Sequence, residues 1–241
     1  MPRIVADLHC HTVASDHAYC TVKEIVETCA AKGLSAIAIT DHGPALPDSP
    51  HLWHFDNQRI LPRRVGDVRL LRGAEASILD FRGGVDLDER MLRTLDWTIA
   101  SFHGPACAPG TPEDHTAAYL ALIANPLVDV LGHTGSVEFP YDVETVVKAC
   151  AEAGKCMEIN VGSFRVRPTA IPNCRRIADA CRRHGALVVV DSDAHASWDV
   201  GEFGPALDLL DSVGFPEERI LNADLDRLER YLEARTGRAP R

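Results

Sequence analysis

Histidines and carboxylates recur along the chain in short, separated clusters. They are His9 and His11 in DLHCH, His42 in TDHG, Glu75 in GAEAS, His103 in SFHG, His133 in LGHTG, Glu158 and Asn160 in EIN, and Asp193 and His195 in SDAH. Imidazole mixed with carboxylate suits zinc, manganese or iron(II). On an extended chain, residues two apart face the same way. His9 and His11 can therefore share one ion, while Cys10 between them points away. Asp193 and His195 repeat that spacing near the other end of the sequence. A single ion needs about four ligands. The set exceeds that number, so two or three ions are implied. Without metal, so many polar groups buried together would be costly.

The elements that must position these clusters are legible as short runs rich in Val, Ile, Leu and Ala. Such runs predict strands over residues 4–9, 34–40, 68–76, 96–102, 128–132, 155–160 and 187–191, each buried on both faces. Helical patterns lie between and after them, over 21–32, 111–124, 142–153, 172–184, 205–213 and 225–235. Thr21 is a capping residue for the first, and Gly33, Gly154 and Gly185 stop three of them. Strand–helix alternation implies parallel strands with right-handed crossovers. Each predicted strand delivers a ligand-type residue to its C-terminal end, where parallel α/β folds gather their sites. An open sheet would hold its outer strands too far apart to share one site. Ligands on every strand therefore favour closure into an α/β barrel.

The length of 241 residues suits one such barrel, so residues 1–241 are expected to form a single domain. The net charge of −10 argues against a non-specific duplex-DNA binder. It leaves small phosphorylated substrates open, because bound cations would reverse the local field. No stretch approaches the ~20 apolar residues that span a bilayer. The opening MPRIVADLH lacks a basic region followed by an apolar run, so a cytoplasmic protein without membrane partner is expected. None of the eight cysteines forms a C-x-x-C pair, and buried free thiols are expected.

Other residues carry weaker signals. Residues 43–62 form the longest irregular stretch, readable as a lid or as a surface excursion packed by its own aromatics. His51 and His54 lie within it and stay open. His115 and His184 read as solvated helix residues. Asp7 and Asp41 adjoin ligand positions and could orient imidazoles or serve structure alone. Arg165 and Arg167 follow the sixth strand beside Ser163 and suit phosphate contacts. The terminal RTGRAPR reads as a frayed tail.

Together, DLHCHTVASDHAY, AITDHGP, GAEAS, FHG, LGHTG, EIN and SDAH, in that order, resemble the PHP (polymerase and histidinol phosphatase) superfamily. The resemblance runs from about Ile4 to Asn222 and is nearest to its small stand-alone, YcdX-type phosphatases. It implies a distorted, TIM-like (β/α)7 barrel with a trinuclear metal site at the strand ends. By that resemblance His9, His11, Glu75 and Asp193 hold one ion, and Glu75 bridges to a second held by His103 and His133. A third is held by His17, His42 and His195. The family pattern alone supplies His17. Zinc is the favoured metal, with manganese or iron as alternatives. Catalytic roles fall to Glu75, Asp193 and His195, and substrate contacts to Asn160, Ser163, Arg165 and Arg167. Two departures are the absence of a second Asn after Asn160 and Cys20 in place of a small hydroxyl residue.

The activity implied is metal-assisted hydrolysis of a phosphate ester by activated water. No G-x-S-x-G elbow points to a serine nucleophile. The partner expected is a small phosphorylated substrate, with no stable nucleic-acid partner; a homo-oligomer is compatible with the sequence. A histidinol-phosphate phosphatase and a nuclease-like phosphodiesterase are alternatives on the same metal site. A non-catalytic metal-binding domain is disfavoured by the filled ligand set. An amidohydrolase would need a metal-bridging lysine, and no lysine ends a predicted strand.

Overall fold

The computed structural model describes residues 2–236. In chain order its regular elements begin with β1 (Ala6–Asp7), α1 (Val22–Ala31), β2 (Ala36–Ile39), α2 (Leu52–Asn57), β3 (Arg64–Val65) and β4 (Val68–Ser77). They continue with α3 (Glu89–Leu92), β5 (Trp97–Ser101), α4 (Pro112–Ala124), β6 (Val130–Leu131), α5 (Val143–Ala153) and β7 (Cys156–Asn160). The last are α6 (Val161–Val166), α7 (Ile171–His184), β8 (Leu187–Asp191), α8 (Gly204–Ser212) and α9 (Leu225–Thr236). Local chemistry explains several boundaries. Thr21 and Glu24 form a reciprocal capping box at the start of α1. Gly154 and Gly185 end α5 and α7 at φ 66° and 69°, a conformation that side chains resist.

Seven parallel strands run in the order β1-β2-β4-β5-β6-β7-β8, with β3 antiparallel on β4. The expected (β/α)7 barrel is therefore present, and its seam explains the distortion. β1 and β8 meet through one parallel bridge, Cys10 to Ala194. Side chains supply the remaining hydrogen bonds of that seam. Leu8 N donates to Asp191 Oδ1 at 2.9 Å, and Ser192 N to Asp7 Oδ1 at 3.1 Å. Asn222 Nδ2 donates to the Ala6 and Val190 carbonyls at 2.8 and 2.7 Å, and its Oδ1 accepts from Val190 N. Buried backbone groups need such partners.

The barrel interior is layered. Ala36, Ala38, Leu71, Trp97, Ile99, Val130, Cys156 and Val189 form one apolar cluster with Leu228 and Leu232 of α9. α9 thus closes the end where the strands begin. Counting onward in steps of two keeps the same face. It leads from Ala38 to His42, from Leu71 to Glu75, from Ile99 to His103, from Cys156 to Glu158 and from Val189 to Asp193. A dry floor and a polar mouth follow from one alternation. A larger apolar cluster packs helices against the outer face of the strands.

Five sequence expectations are corrected. Residues 43–62 are not irregular throughout, because α2 and a short 3-10 turn at Gln58–Ile60 lie within them. β3 and α3 escaped notice because each is only two to four residues long, too short to show a period. α6 follows β7 directly, where no helical pattern is expected, and Asn160 caps it by accepting from Ser163 N at 2.6 Å. His115 is no solvated residue. It is fully buried, accepts from Gly110 N at 2.8 Å and lies 2.7 Å from the Pro140 carbonyl. All eight cysteines are buried and free, as expected. The frayed tail expected over residues 235–241 begins too early, because α9 runs to Thr236; residues 237–241 lie outside the described residues.

Candidate metal centre

All nine residues expected as ligands converge on the mouth of the barrel. Glu75, at the C-terminal end of β4, is the hub, and its side chain is 1% exposed. Its two oxygens divide the histidines. Oε1 faces His133 Nε2 at 2.9 Å and His103 Nε2 at 3.3 Å. Oε2 faces His42 Nδ1 at 3.0 Å, His9 Nε2 at 3.3 Å and His11 Nε2 at 3.6 Å. Asp193 Oδ1 approaches the second group, at 3.1 Å from His11 Nε2 and 3.5 Å from His9 Nε2. His17 and His195 complete a layer of stacked rings, with centroids 4.4 Å apart.

Several of these contacts are close but do not have hydrogen-bond geometry. His9 Nε2, His11 Nδ1, His42 Nδ1, His195 Nε2 and Asp48 Oδ2 are buried atoms without a hydrogen-bond partner. Buried polar atoms left this way are costly. Buried polar atoms without partners, gathered among several histidines and carboxylates, fit ligands awaiting cations. Four trios have donor atoms within 4.8 Å of one another: His9, His11 and Asp193; His11, His42 and His195; His42, Glu75 and His103; and His17, His42 and Asp48. The residues present therefore fit divalent metal.

Electrostatics splits the cluster. Burial alone would push His9 down, but Glu158, Asp193 and Glu75 outweigh it and hold its pKa well above the ordinary value. His42 is likewise raised, burial being overcome by Glu75. Burial, reinforced by His42, lowers His11 to about 3. Burial opposes ionisation of Glu75 and Asp193, yet the imidazoles around them, His9 foremost, hold both well below the usual carboxylate range.

Partners behind the ligands fix their orientation. Glu158 Oε1 lies 2.6 Å from His9 Nδ1, and Oε2 accepts from His133 N at 2.6 Å. A carboxylate on Nδ1 leaves Nε2 of His9 turned towards Glu75 and Asp193. Ser77 Oγ lies 3.1 Å from His103 Nδ1. His133 and Asp193 have positive φ, 29° and 55°, which is uncommon for residues with side chains. Gly162 lies against Asp193: a Cβ there would meet Asp193 Cβ at 2.9 Å.

Of the two roles open to Asp7 and Asp41, orienting ligand imidazoles or serving structure, their contacts show the structural one. Asp7 binds Ser192 and Gly201 N across the seam. Asp41 accepts from Thr12 N, Thr12 Oγ1 and Ser15 Oγ and lies 3.0 Å from His54 Nε2. It ties together the loop that carries His17, the strand end that carries His42, and α2. His51 caps α2 by accepting from Trp53 N. His184 is on the surface beside Glu144.

The mouth opens into a cavity of about 750 Å³ whose lining includes His17, Glu75, His103, Glu138, Arg165, Arg167 and His195. Among the four residues expected at substrate, the two arginines border this cavity. Arg165 is paired with Asp199 at 2.6 Å. Arg167, half-buried, has no carboxylate within 4.0 Å among the described residues. Asn160 and Ser163 are buried: Asn160 caps α6 and donates to Asp193 Oδ2 at 3.2 Å. Lys155 binds the Asn125 and Val128 carbonyls at the opposite end of β7, away from the mouth.

Sequence reasoning passed over two residues here. Glu158 was noted as polar at a strand end without a role. Its parity with Cys156 was the available signal. Asp48 was not noted at all. It lies between Pro47 and Ser49 in a stretch without periodicity, and no residue type there announces a ligand.

A family model described as PHP domain matches residues 7–163. A protein named "Probable phosphatase" from Acetivibrio thermocellus is 41% identical over 239 residues, covering 99% of each chain. Another of that name from Citrobacter koseri is 44% identical over 235 residues, covering 97% of this chain and 96% of its own. Among solved structures, histidinol phosphate phosphatase from Lactococcus lactis, complexed with zinc, L-histidinol and phosphate, superposes with a TM-score of 0.60 at 18% identity. That match covers 88% of this chain and 94% of the other, and at this identity it speaks to the fold. Among the described residues no helix is long and apolar enough to cross a membrane.

Proposed function

We propose, from the premise that the chain belongs to the PHP domain family, that it is a metal-dependent phosphatase acting on small phosphate esters. The observation that carries this reading is the division of histidines between the two oxygens of one buried Glu75. A carboxylate so placed suits a bridge between two ions. His9, His11, Glu75 and Asp193 would hold one ion, Glu75, His103 and His133 a second, and His17, His42 and His195 a third. Zinc suits this nitrogen-rich set, with manganese or iron(II) as alternatives. Bound divalent ions would supply Lewis-acid activation of water and neutralise charge on the phosphoryl group.

The chain's own residues do the rest. Arg167 borders the cavity with its guanidinium free of a carboxylate and would take the non-reacting phosphoryl oxygens bidentately. Arg165 is already neutralised by Asp199 and would line the leaving-group side. Glu75, Asp193 and His195 would keep their donor atoms fixed where the ester meets water, because Asn160 and the strand ends hold them. Asn160 and Ser163 would act from behind Asp193. The substrate must be small enough for about 750 Å³.

The test is hydrolysis of a panel of phosphate monoesters, diesters and short oligonucleotides by protein purified without chelator. Monoester turnover that chelation abolishes and metal restores supports the proposal. Turnover of none of these substrates by metal-loaded protein overturns it.

A further inference from the structure

Resting on the three-ion reading, we infer that Asp48 is a ligand of the third ion, so that residues 43–62 are fastened to the centre through metal. Asp48 Oδ2 lies 2.8 Å from His17 Nδ1 and 3.9 Å from His42 Nε2. The three donor atoms fall within 4.8 Å of one another. Asp48 Oδ2 is a buried atom, yet the 2.8 Å contact lacks the direction of a hydrogen bond. A carboxylate that merely oriented His17 would meet its N–H along the ring plane. Ligands about 2.0–2.2 Å from one tetrahedral cation are instead spaced about 3.3–3.5 Å apart, with no such directional requirement between them. The two imidazole nitrogens that converge on Asp48 Oδ2, at 2.8 and 3.9 Å, lie on either side of that spacing and reach it with shifts of about half an ångström.

His17 is itself weakly held: its side chain is 55% exposed and it lies outside any helix or strand. A third ion bound by such a residue gains from an anionic donor on a second loop. Asp16 N donates to the Asp48 carbonyl at 2.9 Å, joining the two loops before any cation enters. Two further ties hold the same segment from behind: His54 beside Asp41, and Ala45 N donating to Asp86 Oδ2 at 2.9 Å. Asp48 is the one of these contacts that faces the cavity.

The experiment compares full-length protein with Asp48→Asn, which keeps size, by titrating metal-free protein with zinc and, in parallel, with cobalt(II). Bound equivalents and the visible cobalt spectrum are recorded, together with hydrogen exchange of residues 43–62. Expected are unchanged affinities for the first two equivalents in the variant. Its third equivalent weakens more than the ~10–100-fold typical of residues that only orient a ligand. The cobalt absorption of that equivalent shifts, and metal no longer protects residues 43–62. A variant whose third equivalent binds with unchanged affinity and spectrum overturns the inference. A wild-type protein that never takes up a third equivalent overturns the three-ion reading instead. Should Asp48→Asn fail to fold, Asp48→Ser read by the same spectrum decides.

Discussion

Glu158 Oε1 lies 2.6 Å from His9 Nδ1, with both side chains fully buried. The same carboxylate holds the backbone of His133, so one residue on β7 fixes ligands of two different strand ends. Replacing it with Gln keeps the shape but removes the charge that holds Nδ1–H. Metal affinity should fall by about 10–100-fold, more for Glu158→Ala than for Glu158→Gln. Zinc titration against a competing chelator measures it. Unchanged affinity would show that His9 is oriented by its packing alone.

Gly162 is the second test. A methyl group there must move Asp193, whose Cβ and Oδ2 would lie 2.9 and 3.0 Å away. Small misplacements near the chemistry can cost about 10²-fold. Gly162→Ala should therefore lose activity well before it loses stability. Turnover measured beside thermal unfolding separates the two.

His115 should behave in the opposite way. It packs against Phe81, Phe102 and Phe139 with ring centroids 5.3–5.6 Å apart. Its two hydrogen-bonding contacts reach Gly110 and Pro140. His115→Ala leaves a cavity and unpaired backbone groups, a loss of about 2–4 kcal/mol in denaturant unfolding. Its metal content should stay that of the unaltered protein.

His115 marks a limit of what the sequence makes legible. The barrel could be read because its buried strands leave short apolar runs and its ligands fall at their ends. His9 and His11 or Asp193 and His195 announce themselves by a spacing of two. His115 carried no such signal. Its place on α4 looked like a polar helix position, and only the packing of distant aromatics makes it interior. Asp48 is hidden for a related reason, since the loop that brings it to His17 follows no period. Glu158 could be read as facing the site, but its bond to the far nitrogen of His9 depends on the barrel's curvature.

Protons should leave as metal enters. In the metal-free protein the raised pKa values of His9 and His42 mean that both retain protons at higher pH than an ordinary histidine. A metal needs the neutral ring, so uptake near neutral pH should release protons and weaken as pH falls. His11, lowered to about 3, contributes none. The same raised values stabilise the metal-free fold below the ordinary histidine pKa, and that contribution is lost as pH rises through the folded-state values. Glu75 and Asp193, depressed, stabilise above the ordinary carboxylate range and cease to do so as pH drops through their lowered values. Zinc calorimetry in buffers of different ionisation enthalpy reads the released protons.

The arginines at the mouth should not be equivalent. Arg167→Ala should lower kcat/KM for a phosphate monoester by at least ~10-fold, because a bidentate phosphate contact is lost. Arg165→Ala should cost less, its charge being already engaged by Asp199. Steady-state kinetics on one substrate compares them.

The most direct measurement adds zinc or manganese stepwise to metal-free protein and follows p-nitrophenyl phosphate hydrolysis against equivalents bound. Hydrolysis absent without metal, rising as the sites fill and levelling near three equivalents is the expected result. Hydrolysis that is independent of metal, or full activity at one equivalent or fewer, would contradict a multinuclear centre built around Glu75.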